Sequence, residues 1–180
     1  GNYTLAKIYI ESALANDTTK SSELVDHYGD ILFMSGDKES ARALLKATRE
    51  ACKGKTLKVI IESGVLAHAD TIADASRLSI ECGADFIKTS TGKTPVSATP
   101  EAANVMLEVI RDSGKPVGFK ASGGVRTTEQ AVEYMTLADK IMGPKWISPK
   151  TFRFGASGLR DSLLASMGYG EAPASSAKGY

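Results

Sequence analysis

The sequence predicts an α/β fold of about four βα units, preceded by an all-helical segment. From residue 51 onward, apolar strand-like runs alternate with helical stretches. Strands separated by helices form parallel sheets, whose carboxyl ends lie on one side. Before that point, apolar residues recur at helical spacing without a strand-like run between them. We therefore divide the 180 residues into a helical segment at 1–50 and a βα segment at 51–180.

The helical segment is predicted to contain three helices. The first covers residues 4–15, the second has its apolar side chains between 24 and 33, and the third covers 39–51. Their small residues resemble those of tetratricopeptide repeats, in which a small residue of one helix packs against an alanine of the next. Gly29 and Ala41 have the separation found in such repeats. Ordinary amphipathic helices are the alternative interpretation.

The βα segment begins with a run typical of a buried strand, from Leu57 to Glu62, which Ser63 and Gly64 close. An amphipathic helix is predicted next, over residues 70–82. Gly83 follows it as the expected C-terminal cap, because glycine adopts the left-handed conformation there without strain.

The later helices have clear start signals. Thr99 precedes Pro100 and Glu101, which places a capping hydroxyl, a first-turn proline and an acidic residue in the favoured order. Thr127 or Thr128 is the expected cap of the next helix. A last strand with its turn is predicted over 152–157, and a short helix is expected to start near Leu159. The N–H groups at its start would suit an anion.

Two predicted strands carry a lysine near their carboxyl end. Phe86 and Ile87 precede Lys88, and the second lysine, Lys120, follows Phe119. A lysine inside a buried strand is uncommon unless its charge is used or paired, although its end could also reach solvent. Two ammonium groups brought together lower the pKa of one amine, which can then act as a nucleophile. Glycine-rich turns follow both strands, so a phosphorylated carbonyl compound is the expected ligand.

Composition and charge exclude several classes of protein. A net charge of +1 is no basis for nucleic-acid binding. No apolar run approaches the ~20 residues that cross a bilayer. Cys52 and Cys82 are expected to be reduced thiols of a cytoplasmic protein, and no metal-ligand spacing is present. Because Gly1 stands where an initiator methionine would be, the amino terminus is expected to be trimmed or a fragment boundary.

Three motifs together resemble the carboxyl-terminal half of deoxyribose-phosphate aldolase. They are FIKTSTGK, GFKASGGVRT and FRFGAS, in this order, and the resemblance extends from about Ser35 to Tyr180. The family consists of Schiff-base aldolases on an eight-stranded βα barrel, so the resemblance implies a half-barrel. It also implies that Lys88 forms the imine and that Lys120 is the second active-site lysine. The residues that it assigns to the substrate phosphate are Gly92, Lys93, Gly123, Gly124, Gly155 and Ser157.

The chain departs from the family pattern in three places. Ala121 replaces a usual proline, and Gly158 stands where a second serine is common. More seriously, the strand that should carry an acid–base carboxylate falls where the residues predict a helix. Asp26 and Asp30 lie in that region, and we assign the role to neither. Tyr180 matches the terminal tyrosine of several members of the family.

The resemblance implies cleavage of 2-deoxy-D-ribose 5-phosphate to glyceraldehyde 3-phosphate and acetaldehyde through a lysine imine, without metal or organic cofactor. We expect impaired turnover, because a complete barrel takes ~250 residues. The alternative is an inactive chimera or truncation, in which a helical-repeat binding module is fused to the half-barrel. Open sheet edges invite pairing, so a homodimer or a packing partner is expected to cover them. We expect no nucleic-acid or membrane partner.

Overall fold

The computed structural model describes residues 36–156 and 158–169. It contains a parallel four-stranded sheet in the order β1-β2-β3-β4. The predicted α/β fold with four βα units is therefore confirmed in this part of the chain. The strands are β1 Lys58–Ile60, β2 Phe86–Lys88, β3 Gly118–Ser122 and β4 Phe152–Gly155.

Six helices precede, connect and follow these strands in the described ranges. They are α1 Lys38–Ala51, α2 Ser63–Leu66, α3 Ala69–Glu81, α4 Pro100–Ser113, α5 Thr128–Met142 and α6 Leu159–Ser166. None of them has both the length and the apolar character needed to cross a bilayer. The predicted third helix corresponds to α1. The two helices predicted before it, and with them Gly29, Asp26 and Asp30, lie outside the described residues.

Local capping chemistry sets the helix ends, as the sequence predicts. The Thr99 side chain accepts a hydrogen bond of 3.1 Å from the Ala102 N–H, and α4 ends at Gly114, whose φ is 63°. Thr127 and Gln130 form a reciprocal capping box at the start of α5. These contacts join residues at most four positions apart, so tertiary packing is not needed to specify them.

β1 is shorter than predicted and covers Lys58–Ile60 rather than residues 57–62. β4 ends at Gly155, within the range 152–157 that was predicted to hold the last strand and its turn. At the end of β1 the backbone turns into the left-handed region at Glu62, with φ of 48°, and the short helix α2 begins at the next residue. Ser157 lies outside the described residues.

The main core lies between the sheet and the helices. Ile87, Phe119 and Phe152 are paired across β2, β3 and β4, so their side chains form one row on one face of the sheet. Ile87 and Phe119 are completely buried, as are Met106 and Leu107 of α4. Burying each such side chain stabilises the fold by about 1.5–3 kcal/mol. The opposite sheet face carries the lysines.

Arg49 contacts four residues near the amino ends of the strands. Its guanidinium donates to the Asp85 carboxylate at 2.8 Å and to the carbonyl oxygens of Gly83, Cys52 and Lys55. Asp85 also accepts a 2.7 Å hydrogen bond from the Leu57 N–H. The pair therefore joins the end of α1 to the starts of β1 and β2.

We expect Asp85→Asn to destabilise the fold by about 1 kcal/mol at pH 7, because charge-assisted hydrogen bonds are lost at a half-exposed site. The Leu57 N–H, followed by Arg49, lowers the pKa of the Asp85 carboxyl below its ordinary value of 3.8. The stabilisation is therefore present above pH 3.8 and is lost as the pH falls through the lowered pKa. Urea unfolding at several pH values measures it. Asp74→Asn, which removes exposed ion pairs with Lys38 and Arg77, is the control, and an equal loss there would contradict the prediction.

Candidate active site

The strand register places the two candidate lysines side by side. Lys88 of β2 pairs directly with Lys120 of β3, and Lys120 pairs with Arg153 of β4. Directly paired residues project from the same face of a parallel sheet, on strands about 4.8 Å apart. Both lysines are partly exposed. The predicted convergence of Lys88 and Lys120 is therefore present in the backbone geometry.

Two further cations belong to this face, and sequence analysis missed both. Lys58 lies two residues before Ile60, which pairs with Lys88, so its side chain projects to the same side. The Lys58 Nζ lies 5.8 Å from the centre of the Phe86 ring, and the Arg153 Cζ lies 4.4 Å from it. Alternation along the two strands is the signal that could have identified them, because each cation occupies a position that faces away from the helices.

The Phe86 ring packs against these two cations. Phe86 is 4% exposed. The nearest atom of its ring lies 2.3 Å from the position that a Cβ on the paired Gly118 would occupy. Glycine at residue 118 is thus required for the ring to lie across β3. The ring has two cations against it, an arrangement that stabilises them through its quadrupole.

The positive charges of this face favour anionic ligands and the neutral form of the Lys58 amine. Burial, and then the charges of Lys120, Arg153 and Lys88, lower the pKa of the Lys58 amine below its ordinary value. Each added ammonium group in such a cluster makes protonation of its neighbours less favourable. The Lys58 amine is therefore more easily deprotonated than that of an isolated surface lysine.

A buried hydroxyl network connects the lysine-bearing strands just beyond the lysines. The Thr89 hydroxyl accepts from the Ser122 N–H at 3.0 Å and donates to the Ser122 carbonyl at 3.1 Å. Ser90 donates to the same carbonyl at 2.8 Å, and the Ser122 hydroxyl donates to the Gly155 carbonyl at 3.3 Å. These bonds hold the carboxyl ends of β2, β3 and β4 in one arrangement.

The glycine turns assigned to phosphate binding come together at this end of the sheet. Gly92 and Gly123 have φ angles of 86° and 82°. A Cβ on Gly123 would lie 3.1 Å from the Gly92 Cα and 2.6 Å from the Ser97 side chain. The Gly123 N–H donates to the Gly155 carbonyl at 3.4 Å.

The other residues of the predicted set differ in their surroundings. Gly124 has a φ of 83° and open space around it. Lys93 is exposed, and its N–H donates to the Thr91 hydroxyl at 3.2 Å. Ser157 and Tyr180 lie outside the described ranges.

Gly155 leaves room for the end of the Lys120 side chain. A Cβ there would lie 2.6 Å from the Lys120 Cε, 3.1 Å from its Nζ and 2.5 Å from the Ser122 hydroxyl. The absence of a side chain at residue 155 therefore decides where the Lys120 ammonium can be.

Gly155→Ala is expected to move that ammonium and to disturb the buried Ser122 hydroxyl. We expect a loss of about 1–2 kcal/mol in the free energy of unfolding, as for other overpacked sites, and slower imine formation at Lys88. Gly158→Ala is the matched control, because nothing lies within 4 Å of a Cβ at that position. Denaturant unfolding and borohydride trapping measure the two effects. Equal behaviour of both variants would contradict the prediction.

Metal ligands are not grouped in the part of the chain that the structure describes: no three His, Cys, Asp or Glu side chains there could hold one ion. Cys52 and Cys82 are both free thiols. The described face offers amines, the Arg153 guanidinium, hydroxyls and backbone N–H groups.

Comparison of the sequence identifies relatives along the complete chain. Residues 26–165 match the family model described as DeoC/LacD family aldolase. The chain is 47% identical to the deoxyribose-phosphate aldolase of Agrobacterium fabrum (strain C58) over 182 aligned positions, which cover 100% of this chain and 69% of that protein. Because the alignment runs through residues 1–50, the comparisons do not support a tetratricopeptide-like segment there.

Solved structures share the fold. The aldolase QR15 superposes with a TM-score of 0.60 and 26% identity, over 76% of this chain and 56% of that one. A Toxoplasma gondii ME49 protein described as a deoxyribose-phosphate aldolase gives a TM-score of 0.69 and 24% identity, over 77% and 55% of the two chains. The chain thus matches little more than half the length of these structures. With the family model and the 47% identical relative, the conclusion is that this chain belongs to the DeoC/LacD aldolase family.

Proposed function

We propose that this chain carries the imine-forming half of a deoxyribose-phosphate aldolase active site, which cleaves 2-deoxy-D-ribose 5-phosphate to glyceraldehyde 3-phosphate and acetaldehyde. The direct pairing of Lys88 with Lys120 on one sheet face is the observation that carries the proposal. The 47% identity to a protein of that name supports the substrate.

In this proposal, Lys88 is the nucleophile. Its neutral amine attacks the aldehyde carbon of the open-chain sugar, and loss of water gives a protonated imine. A base removes the proton of the sugar's C3 hydroxyl, the C2–C3 bond breaks, and its electron pair passes to the imine to form an enamine. Glyceraldehyde 3-phosphate leaves, C2 is protonated, and water hydrolyses the imine to release acetaldehyde and the free lysine. The imine itself accepts the electrons, so the proposal requires no cofactor.

Lys120 and the glycine turns have separate roles in the proposal. The Lys120 charge keeps the neighbouring Lys88 amine neutral. The turns at Gly92, Gly123, Gly124 and Gly155, with Lys93 and Ser157, hold the substrate phosphate. Phosphate sites of βα barrels commonly lie at such turns and at the start of a following helix. Here α6 begins at Leu159, directly after the last turn.

Proton transfer sets the expected rate. On the lysine-bearing face, the charged side chains of the described strands are the cations Lys58, Lys88, Lys120 and Arg153. A positioned acid–base group typically contributes 10²–10⁴-fold. We propose that the 180-residue polypeptide forms the imine readily and turns over slowly. Asp26 and Asp30, outside the described part, are the carboxylates to mutate if turnover is fast.

Association is a further part of the proposal. β1 and β4 are the edges of the described sheet, and unpaired edges favour association. We propose that a second copy of the chain, or a packing partner, covers these open edges of the half-barrel. Light scattering tests this by measuring the mass in solution. A cytoplasmic location stays a prediction.

Reductive trapping tests the proposed chemistry. With acetaldehyde and a low dose of borohydride, peptide mass spectrometry should find a two-carbon adduct on Lys88. A coupled assay for glyceraldehyde 3-phosphate measures cleavage on the same sample. Adducts spread evenly over many lysines would contradict the proposal and would favour the rival hypothesis of an inactive chain that acts as a binding module.

A further inference from the structure

Glu62 adopts a backbone conformation that a residue with a Cβ rarely adopts. Its φ and ψ are 48° and 54°, in the left-handed region. The cause is an extra residue after β1. The Ile61 N–H donates to the Lys88 carbonyl, and the Ser63 N–H donates to the Thr89 carbonyl, both at 2.8 Å. In a regular parallel pair, N–H groups two residues apart on one strand reach carbonyl oxygens two residues apart on the other. Here the donors are two residues apart, but the acceptors are adjacent. Glu62 is therefore the extra residue of a β-bulge, a feature that redirects a side chain near active sites.

The bulge directs the Glu62 side chain to the turn that follows β2. One carboxylate oxygen accepts from the Thr91 N–H at 3.0 Å, and the other lies 3.2 Å from the Thr94 hydroxyl, which shares its single proton between Glu62 and the Val96 carbonyl oxygen at 2.7 Å. Glu62 is only 6% exposed. Burial of a carboxylate is unfavourable unless hydrogen bonds satisfy it. Glu62 thus combines a strained backbone with a buried charge. The hydrogen bonds that its carboxylate accepts from this turn compensate for both.

This turn contains two of the residues assigned to phosphate. Gly92 and Lys93 lie between the two Glu62 contacts, and the Lys93 N–H donates to the Thr91 hydroxyl. Thr91 is therefore held through its N–H by Glu62 and through its hydroxyl by Lys93. Within residues 36–156 and 158–169, the Gly92 N–H has no protein acceptor. The turn leaves this donor available for a ligand.

We propose that Glu62 is a positioning residue for phosphate: its carboxylate holds the Thr91–Thr94 turn so that Gly92 and Lys93 can bind the phosphate group. The inference rests on the proposed function only in taking the ligand to be a phosphate ester. It does not require that Lys88 forms an imine.

The direction in which phosphate affinity changes when the Glu62 carboxylate is removed distinguishes a positioning role from direct electrostatic repulsion. A carboxylate near a phosphate repels it, so removing the charge without altering the turn would strengthen phosphate binding. If Glu62 acts by holding the turn, removing it weakens binding, because the donors must be ordered when the ligand binds.

Two variants of the 180-residue chain test this with inorganic phosphate, by titration calorimetry at low ionic strength. Glu62→Gln keeps one acceptor for the Thr91 N–H, and we expect its affinity to fall about threefold. Glu62→Gly relieves the left-handed strain but removes both acceptors, and we expect a fall of about tenfold. Glu133→Gln, which neutralises an exposed carboxylate on α5, is the charge-matched control and should stay within about twofold of the parent chain.

A second readout excludes a merely structural role. Borohydride trapping of acetaldehyde, which has no phosphate, should proceed at Lys88 in both Glu62 variants within about twofold of the parent rate. Tighter or unchanged phosphate binding in the variants would overturn the inference, as would a parent chain that binds no phosphate. An equal loss of trapping and of phosphate affinity would also overturn it. Phosphate binding that depends on Glu62 without any trapping at Lys88 would uphold the inference and refute the proposed function.

Discussion

Lys88→Met is expected to abolish imine formation, lowering the trapped acetaldehyde adduct by at least about 100-fold. Methionine has nearly the length of lysine and no amine, so the strand and its packing are retained while the nucleophile is removed. Formation of the imine in the proposed reaction requires a neutral primary amine. Borohydride trapping followed by peptide mass spectrometry measures the adduct.

Lys115→Met is the matched control for this variant. Lys115 precedes β3, at the opposite end of the strand from the candidate site, and its ammonium donates to the Ile80 carbonyl at 3.3 Å. Its replacement should leave the Lys88 adduct unchanged. If Lys88→Met retains trapping at some other lysine with the parent rate, Lys88 is not the nucleophile, and Lys58 and Lys120 become the candidates.

Lys120→Met should shift trapping at Lys88 to higher pH, by about one pH unit or more. The two residues lie opposite each other on strands about 4.8 Å apart. At an effective dielectric constant near 20, two unit charges at about 5 Å repel each other by about 3 kcal/mol. Removal of the Lys120 charge makes protonation of Lys88 easier, so less neutral amine is present at pH 7. The trapping rate at that pH should fall about tenfold and should recover as the pH rises.

Lys120→Arg distinguishes the effect of the positive charge at residue 120 from that of its amine. Arginine keeps the positive charge at this position, so the pH profile of trapping should stay close to that of the parent chain. Because arginine stays protonated at any pH used, it cannot donate or accept protons as a lysine can. A loss of turnover with an unchanged trapping profile would therefore assign Lys120 a role in proton transfer. An unchanged profile in Lys120→Met would show that the two charges do not interact.

Sequence alone was sufficient where the decisive contacts are local. The caps at Thr99 and Thr127 were predicted because each acts within four positions along the chain. The alternation of strands and helices predicted the parallel sheet, and the motifs around Lys88 and Lys120 predicted the family. Those residues are also brought together as expected, because carboxyl ends of neighbouring parallel strands meet.

The structure decided what depends on register and on contacts between distant segments. Lys58 and Arg153 join the lysines only because paired residues of β1, β2, β3 and β4 share one face, and a one-residue shift would turn them towards the helices. Glu62 appeared in the sequence as the end of a strand. Its left-handed backbone is compensated by bonds to Thr91 and Thr94, 29 and 32 positions along the chain. Local preferences disfavour that conformation, and the contacts between distant segments outweigh them. The sequence by itself therefore determined the elements and their order. The tertiary structure decided which side chains surround the site.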